Sequence, residues 1–302
     1  MTTGAPRIGI DVGGSKIAAI LLDSKDTVIC EKRIAAPRNS YDKTVECIRQ
    51  IVFDLESDFD LKAHVGIGIP GSLSPVIGLV QNANSTWLNG KPLCTDLTRD
   101  LARDIRIEND ANCFALSEAR DGAGRCARMV FGVIIGTGCG GGLVFDNTLI
   151  SGPHAIGGEW GHTPLPWATA EERGAVECWC GKKDCLECWV SGTSMEADHL
   201  RMNSVKLKAS GIAQQAQKGC PAACDTLNRL VSRLARSLAV IVNIIDPDAI
   251  VLGGGLSNID MIYSCLPKMM EPYIFADHFK PCILKPEFGD ASGVRGAARL
   301  WP

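Results

Sequence analysis

Two stretches decide how this chain reads: IGIDVGGSKIAAILL at 8–22 and VIIGTGCGGGLVF at 133–145. Each is an apolar strand, a glycine turn and a second apolar strand, so the two halves share one grammar and carry a faint internal repeat. Glycine is required where backbone must come close to something large, because only glycine removes Cβ from the approach and takes positive φ freely. Exposed amides in such turns form anion-binding concavities. Either turn alone is better read as an ordinary tight hairpin. The pair, with Lys16 beside the first turn and a third glycine cluster at 253–255, reads instead as facing turns that hold a polyphosphate.

Around these stretches the elements alternate in an α/β pattern. Residues 7–12, 17–22 and 27–34 read as strands, 40–57 as a helix capped by Ser40, and 64–70 as a strand ending on a Pro-Gly turn. The spacing then predicts a short helix near 94–103, a strand at 105–107 and a helix over 110–120. The second half restarts at 128 with an apolar strand, returns through GGLVFDN and adds a short strand and turn at 148–152. Helices are predicted over 191–202, 207–217, 221–245 and 258–270, with DAIVLGGG as a buried strand between the last two.

At 302 residues the chain exceeds one typical domain, so two lobes sharing one function are expected. The 31 basic and 34 acidic side chains, net −3, leave no electrostatic footprint for a nucleic-acid backbone or an anionic membrane. The beginning, MTTGAPRIGIDVGG, has no basic segment followed by an apolar one, and the most apolar run, around 238–252, is interrupted by Asn243, Asp246, Pro247 and Asp248. The expectation is a soluble cytoplasmic protein with small or neutral partners. Of the 14 cysteines, most stand alone in apolar settings (Cys30, Cys47, Cys113, Cys265, Cys282), where a reduced thiol behaves as a small hydrophobe.

The exception is ECWCGKKDCLEC at 177–188. Cys178, Cys180 and Cys185, with Gly181 between them, can fold a knuckle round one tetrahedral ion, and zinc suits a thiolate-rich cytosolic site. Two fourth ligands are available. Cys188 would complete an all-thiolate site, whereas His162 in GEWGHTPLPW would tie the knuckle to a distant loop; spacing does not decide between them. In RIENDANCFALSEA, Asp110 reads equally as a helix N-cap and as a cleft carboxylate able to take a proton from a hydroxyl, with Asn109 beside it.

Two familiar patterns fail on context. Gly136, Gly138 and Gly141 match GxGxxG, with Glu159 at the distance of a ribose-binding acid, but strand rather than helix follows. Gly9 and Gly14 have the glycine spacing of a Walker A loop, yet Ser15 stands where that loop has lysine.

DVGGSK, GIGIPGS, ENDANCFALSEA, IIGTGCGGG, GGEWGH, CWCGKKDCLE and VLGGGLSN occur in the order seen in ROK-family sugar kinases, across nearly the whole chain. GSLSPVIGLVQNANSTWLNGKPL, GEWGHTPLPW and SGVRGAARLWP resemble the bacterial fructokinase branch. The resemblance implies an actin-like ATPase fold of two RNase-H-like lobes. Residues 1–118 would form an N-terminal lobe completed by a C-terminal helix at 292–302, and 119–291 a nucleotide-side lobe carrying the knuckle. It implies Asp110 as general base, Asn109 positioning the sugar, and Glu159, His162 and Glu187 on its hydroxyls, with Gly71, Ser72 and Asn84 lining the pocket. Gly13, Gly14, Ser15, Lys16, Thr137 and Gly138 would face the phosphates of ATP, with Gly254 and Gly255 beside the nucleotide. Asp11 would help hold Mg²⁺. Zinc would sit on His162, Cys178, Cys180 and Cys185, leaving the second imidazole nitrogen to donate toward the sugar. Ser15 keeps the hydroxyl of the family's usual threonine, and Asp184 stands in place of the usual glycine before Cys185. A homodimer is the implied assembly.

Three functions follow from this resemblance. The first is a fructokinase making fructose 6-phosphate; the second, a kinase of mannose, glucose or an N-acetylhexosamine; the third, a sugar-responsive transcriptional regulator. The first strand begins near residue 7, which leaves no space for the regulator's DNA-binding module, and Asp110 favours an enzyme.

Overall fold

The computed structural model describes residues 4–302, so the first three residues of the expected N-terminal lobe lie outside it. Two five-stranded sheets carry the fold. The first is built from β1 (Arg7–Val12), β2 (Lys16–Leu22), β3 (Val28–Ala35), β4 (His64–Ile69) and, after the small hairpin β5 (Ser72–Leu73) and β6 (Val80–Gln81), β7 (Ile105–Asn109). Helices α1 (Tyr41–Phe59), α2 (Leu93–Leu101) and α3 (Asp110–Arg120) are interleaved with them. The second sheet uses β8 (Met129–Ile135), β9 (Cys139–Phe145), β10 (Thr148–Leu149), β11 (Ala249–Gly253) and β12 (Ile283–Leu284). With it go α4 (Glu187–Val190), α5 (Gly192–Asn203), α6 (Ala209–Gln217), α7 (Pro221–Ile245), α8 (Asp260–Met270) and α9 (Ser292–Ala298).

The faint repeat in the sequence is a repeat in topology. The first sheet runs β3-β2-β1-β4-β7 and the second β10-β9-β8-β11-β12. In both, three consecutive strands pair antiparallel and two later strands add in parallel. This doubled arrangement is the actin-like ATPase fold. β1, β4 and β11 are buried along nearly all their length because each is covered on both faces, as central parallel strands are.

Helix α1 follows its signals closely: the Ser40 side chain accepts from Lys43 N, and Asp60 closes the far end in the left-handed region at φ 47°. The expected helix over 110–120 and the long one at 221–245 appear with those bounds. No local pattern announces β5, β6, α4 or β12, each only two to four residues long. Their formation is set by tertiary pairing, which a local pattern does not carry.

Helices α3 and α9 lie between the sheets. α3 packs on β8, β9 and α9, and α9 in turn packs on β1 and β4. Phe114, Ala115, Leu116 and Ala119 of α3 join Val130, Val144 and Val251 of the second sheet in one buried cluster. The last helix of the expected N-terminal segment therefore buries its apolar side on the second sheet. Contact is so close that a Cβ on Gly296 would lie 1.7 Å from the Cys113 carbonyl oxygen, and one on Gly66 1.9 Å from that of Ala297. Gly296→Ala is expected to destabilise the fold by about 3 kcal/mol or more, because a backbone atom rather than a flexible side chain must yield. Thermal unfolding compared with Gly255→Ala, where a Cβ meets nothing within 4 Å, checks this.

Among the described residues, no helix is long and apolar enough to cross a membrane.

Candidate active site

The β7–α3 junction places a carboxylate in a cleft. Asn109, at φ −63° and ψ 145°, is the N-cap, its side chain accepting from the amides of Ala111 and Asn112 at 2.9 and 3.2 Å. The capping duty that Asp110 could have taken thus falls to its neighbour, and Asp110 becomes the first helical residue. One of its oxygens accepts from Ala111 N at 2.8 Å. Asn109 Nδ2 donates to the Gly71 carbonyl at 3.2 Å, which holds the cleft loop to the helix start.

Burial first, then the neighbouring Asp11 carboxylate, push Asp110 up to about 7 from the usual 3.8. Asp11 is itself raised to about 6 by burial, against the pull of Lys16. Glu159 is raised as well, by burial and by Glu187, with His162 opposing. Asp110 and Glu159 line the cleft while Asp11 stands behind it, close enough to raise Asp110 but lining neither cleft, so the group disfavours its shared negative charge and suits a cation or a proton-transfer partner.

The cleft encloses about 290 Å³ and brings together Gly71, Asn84, Asn109, Asp110, Thr137, Gly138, Glu159, His162 and Glu187. A second cleft of about 710 Å³ is lined by Gly136, Thr137, Gly192, Thr193, Glu196, Lys208, Gly255 and Asn258, among others. Thr137 belongs to both, so the β8–β9 turn is the wall between them. That turn is tied down on its far side: Gly192 N donates to the Gly136 carbonyl at 2.6 Å and Thr193 Oγ1 to that of Thr137 at 2.7 Å. Gly254, at φ 80°, presses against it, for a Cβ there would stand 2.7 Å from the Ile135 carbonyl.

Other expected residues lie further out. Ser72 is buried at 2% exposure, its hydroxyl accepting from Gln81 Nε2 at 3.2 Å, and it is not part of the cleft wall. It shapes the Gly71 loop from behind. Gly13, Gly14, Ser15 and Lys16 form the β1–β2 turn, closed by Gly13 N donating to the Lys16 carbonyl at 2.9 Å, but line neither cleft. Lys16 Nζ stands 3.7 Å from Asp290.

The knuckle assembles as the three-thiol, one-imidazole set. One donor atom from each of His162, Cys178, Cys180 and Cys185 lies within 4.8 Å of the others. Cys180 and Cys185 sulfurs are 3.5 Å apart, and Cys178 Sγ is 3.7 Å from His162 Nδ1. A tetrahedral ion with bonds near 2.3 Å to sulfur needs ligand atoms about 3.5–3.8 Å apart, so the residues fit zinc. Burial and the Cys180 and Cys178 thiols beside it push Cys185 up to about 12, and three sulfurs this close need a cation to ionise together. The Cys188 thiol turns to the Glu177 carbonyl at 3.9 Å and is not in the donor set. Asp184 substitutes well for glycine: it sits at φ 57°, a region aspartate tolerates, and its carboxylate accepts from the amides of Gly174, Ala175 and Val176.

Glu187 joins knuckle to turn. Its Oε2 accepts from Cys139 N at 2.9 Å and its Oε1 from Trp179 Nε1 at 2.8 Å. Sequence reasoning missed Trp179, Asn82 and Gly158 in the cleft wall, although CWCG and QNAN were in view. It also missed Glu108, which accepts from Asn109 N and Asn112 Nδ2 and, across from the second sheet, from Ser151 Oγ at 2.7 Å. No local signal marks that partnership, because Ser151 is 43 residues away.

A model of the ROK family matches residues 7–302. The chain is 36% identical over 300 residues to N-acetyl-D-glucosamine kinase of Pasteurella multocida, covering 98% of this chain and 99% of that one. It is 39% identical over 296 residues to the N-acetyl-D-glucosamine kinase of Photobacterium profundum, covering 97% and 98%. The crystal structure of ROK hexokinase from Thermus thermophilus superposes with a TM-score of 0.85 at 26% identity, over 97% of this chain and 96% of that one. With a doubled sheet topology, two clefts joined at a glycine turn and a family match along almost its whole length, the chain belongs to the ROK family.

Proposed function

We propose that the protein phosphorylates the primary hydroxyl of a hexose with ATP. The observation that carries this reading is a half-buried Asp110, relieved of capping duty, in a polar cleft that meets a larger cleft at Thr137. Relatives matched over nearly their full length are kinases, which favours an enzyme over a transcriptional regulator.

ATP would fill the larger cleft, its base end toward Gly255 and Asn258, and present the γ-phosphoryl group at the Thr137–Gly138 turn. The hexose would occupy the smaller cleft, its hydroxyls on Glu159, Glu187 and His162. His162 Nδ1 faces the thiols, so Nε2 is the nitrogen left for the sugar. Asp110 draws the proton from the attacking oxygen, and positioning supplies much of the remaining barrier reduction. Asp11, beside Asp110, would help hold Mg²⁺, which neutralises charge on the transferring phosphate. Zinc on His162, Cys178, Cys180 and Cys185 would act structurally. The two lobes, 1–118 with 292–302 and 119–291, would close over both substrates.

For the sugar we retain fructose as the first choice, because the stretches resembling fructokinases contain the cleft-wall residues Gly71, Asn84, Glu159 and His162. N-acetyl-D-glucosamine is the second, favoured by the activities of the two curated relatives. An ADP-release assay over fructose, mannose, glucose and N-acetylglucosamine decides. Turnover of N-acetylglucosamine exceeding that of fructose at equal concentration would reverse the order, and no turnover of any hexose would remove the reading.

The pH profile is a second check. A base works only when deprotonated, so kcat/KM for the hexose should fall as pH drops through the Asp110 pKa. With MgATP bound, the cation opposes the upward push, and the midpoint should lie between 3.8 and about 7. A kcat/KM that shows no acid limb anywhere between pH 3.8 and 7 would contradict this assignment.

A further inference from the structure

We propose that Trp179 is a sugar-contact residue whose indole face sets which hexose the cleft accepts; the inference rests on reading this cleft as the hexose site. Large aromatic rings are mostly buried. Trp160 and Trp189 obey this at 5% and 2% exposure, but Trp179 is 59% exposed and stands in the cleft wall.

Two contacts fix it there. Its Nε1 donates to Glu187 Oε1 at 2.8 Å, and its ring meets that of His162 nearly perpendicular, at 82° with centroids 5.0 Å apart. The only polar atom of the indole is thereby satisfied, and what remains is an apolar π face. Among the described lining residues this is the one large aromatic face, and Asn82, Asn109, Asp110 and Glu159 beside it are polar. A hexose has complementary anatomy: hydroxyls radiate from its rim, while its ring C–H groups present a weakly polar face that packs on aromatic carbon. The polar groups hold the rim and Trp179 takes the face.

Selectivity follows from rigidity. Trp179 lies between Cys178 and Cys180, two donors of the metal-type cluster, which pins its backbone, while the bond to Glu187 and the contact with His162 hold its ring. A substituent at the sugar's second carbon must fit beside a fixed plate, and pocket-shape discrimination of this kind is worth about 10–200-fold.

Three variants of the full chain separate ring from hydrogen bond. Trp179→Phe keeps a ring without the N–H; Trp179→Gln keeps an N–H donor without the ring; Trp179→Ala keeps neither. Phe should hold the hexose KM within about threefold, while Gln and Ala raise it about tenfold or more, and Ala should change the fructose to N-acetylglucosamine ratio of kcat/KM about tenfold. The KM for ATP and the zinc content should stay as in the parent. Hexose without nucleotide should alter the parent's tryptophan emission, and Trp179→Phe should abolish that change while still binding sugar. Gln behaving as the parent, or an unchanged ratio in Ala, would overturn the proposal. If the parent phosphorylates no hexose, the reading of the cleft falls separately; the emission change, which needs no turnover, still decides whether Trp179 meets a sugar.

Discussion

Asp110→Asn is expected to lower kcat for the hexose by about 10²–10⁴-fold, the usual contribution of a positioned general base, while leaving the KM for ATP nearly unchanged. The same change should stabilise the protein. Asp110 sits at about 7 in the fold against 3.8 for an ordinary aspartate, so the native state binds its proton more tightly than the unfolded chain. For a carboxyl raised in this way, stability is fully present below the unfolded value and is lost as pH rises toward 7. Above pH 7 the fold carries a half-buried charge repelled by Asp11 and Glu159, a cost of at most about 4 kcal/mol. Asparagine removes that charge without altering the Asn109 cap. The variant should therefore melt higher than the parent at pH 8, with the gap closing toward pH 4. A kcat within tenfold of the parent, or a lower melting temperature at pH 8, would sink the assignment of Asp110 as the base.

The second large effect concerns the knuckle. The purified chain should carry about one zinc, and Cys180→Ser should lose it together with hexose affinity, raising the hexose KM by at least about tenfold while sparing ATP. The coupling is geometric: His162 belongs to the donor set and Glu187 follows Cys185 by two residues, so releasing the cluster frees two cleft-lining groups at once. Glu187 also holds Cys139 N beside the β8–β9 turn, where the proposed γ-phosphoryl position lies, which predicts some loss of kcat as well. Cys188→Ser, outside the cluster, should retain both metal and sugar binding. Full hexose affinity in a metal-free sample would refute the link between ion and pocket.

Much of the fold was legible because its signals are local. The strand–glycine–strand pairs at 8–22 and 133–145 announced two related sheets; α1 and α3 carry the caps Ser40 and Asn109, and α7 a first-turn proline with a spaced apolar face. The shortest pieces were not, since a two-residue strand such as Ser72–Leu73 exists only through its partner Val80–Gln81. The site divided in the same way. Asn109, Asp110, Glu159, His162 and Glu187 were singled out from the chain and do line one cleft. Ser72, one residue past the Gly71 loop, points away from it, and the alternation of side chains along a strand makes that difference invisible without the register.

By itself the sequence determined the chemistry on offer: glycine turns for phosphate, a carboxylate at a strand-to-helix junction, and four thiols close enough to hold an ion. Only the tertiary structure decided how these are used. Capping fell to Asn109 and so released Asp110, and the histidine at 162 rather than the cysteine at 188 turned toward the three sulfurs. The physical reason is distance along the chain. Hydrogen bonds and side-chain packing that join residues 16, 43 or 48 positions apart depend on where whole elements dock, and docking is settled by the shared core, not by the neighbours of any one residue.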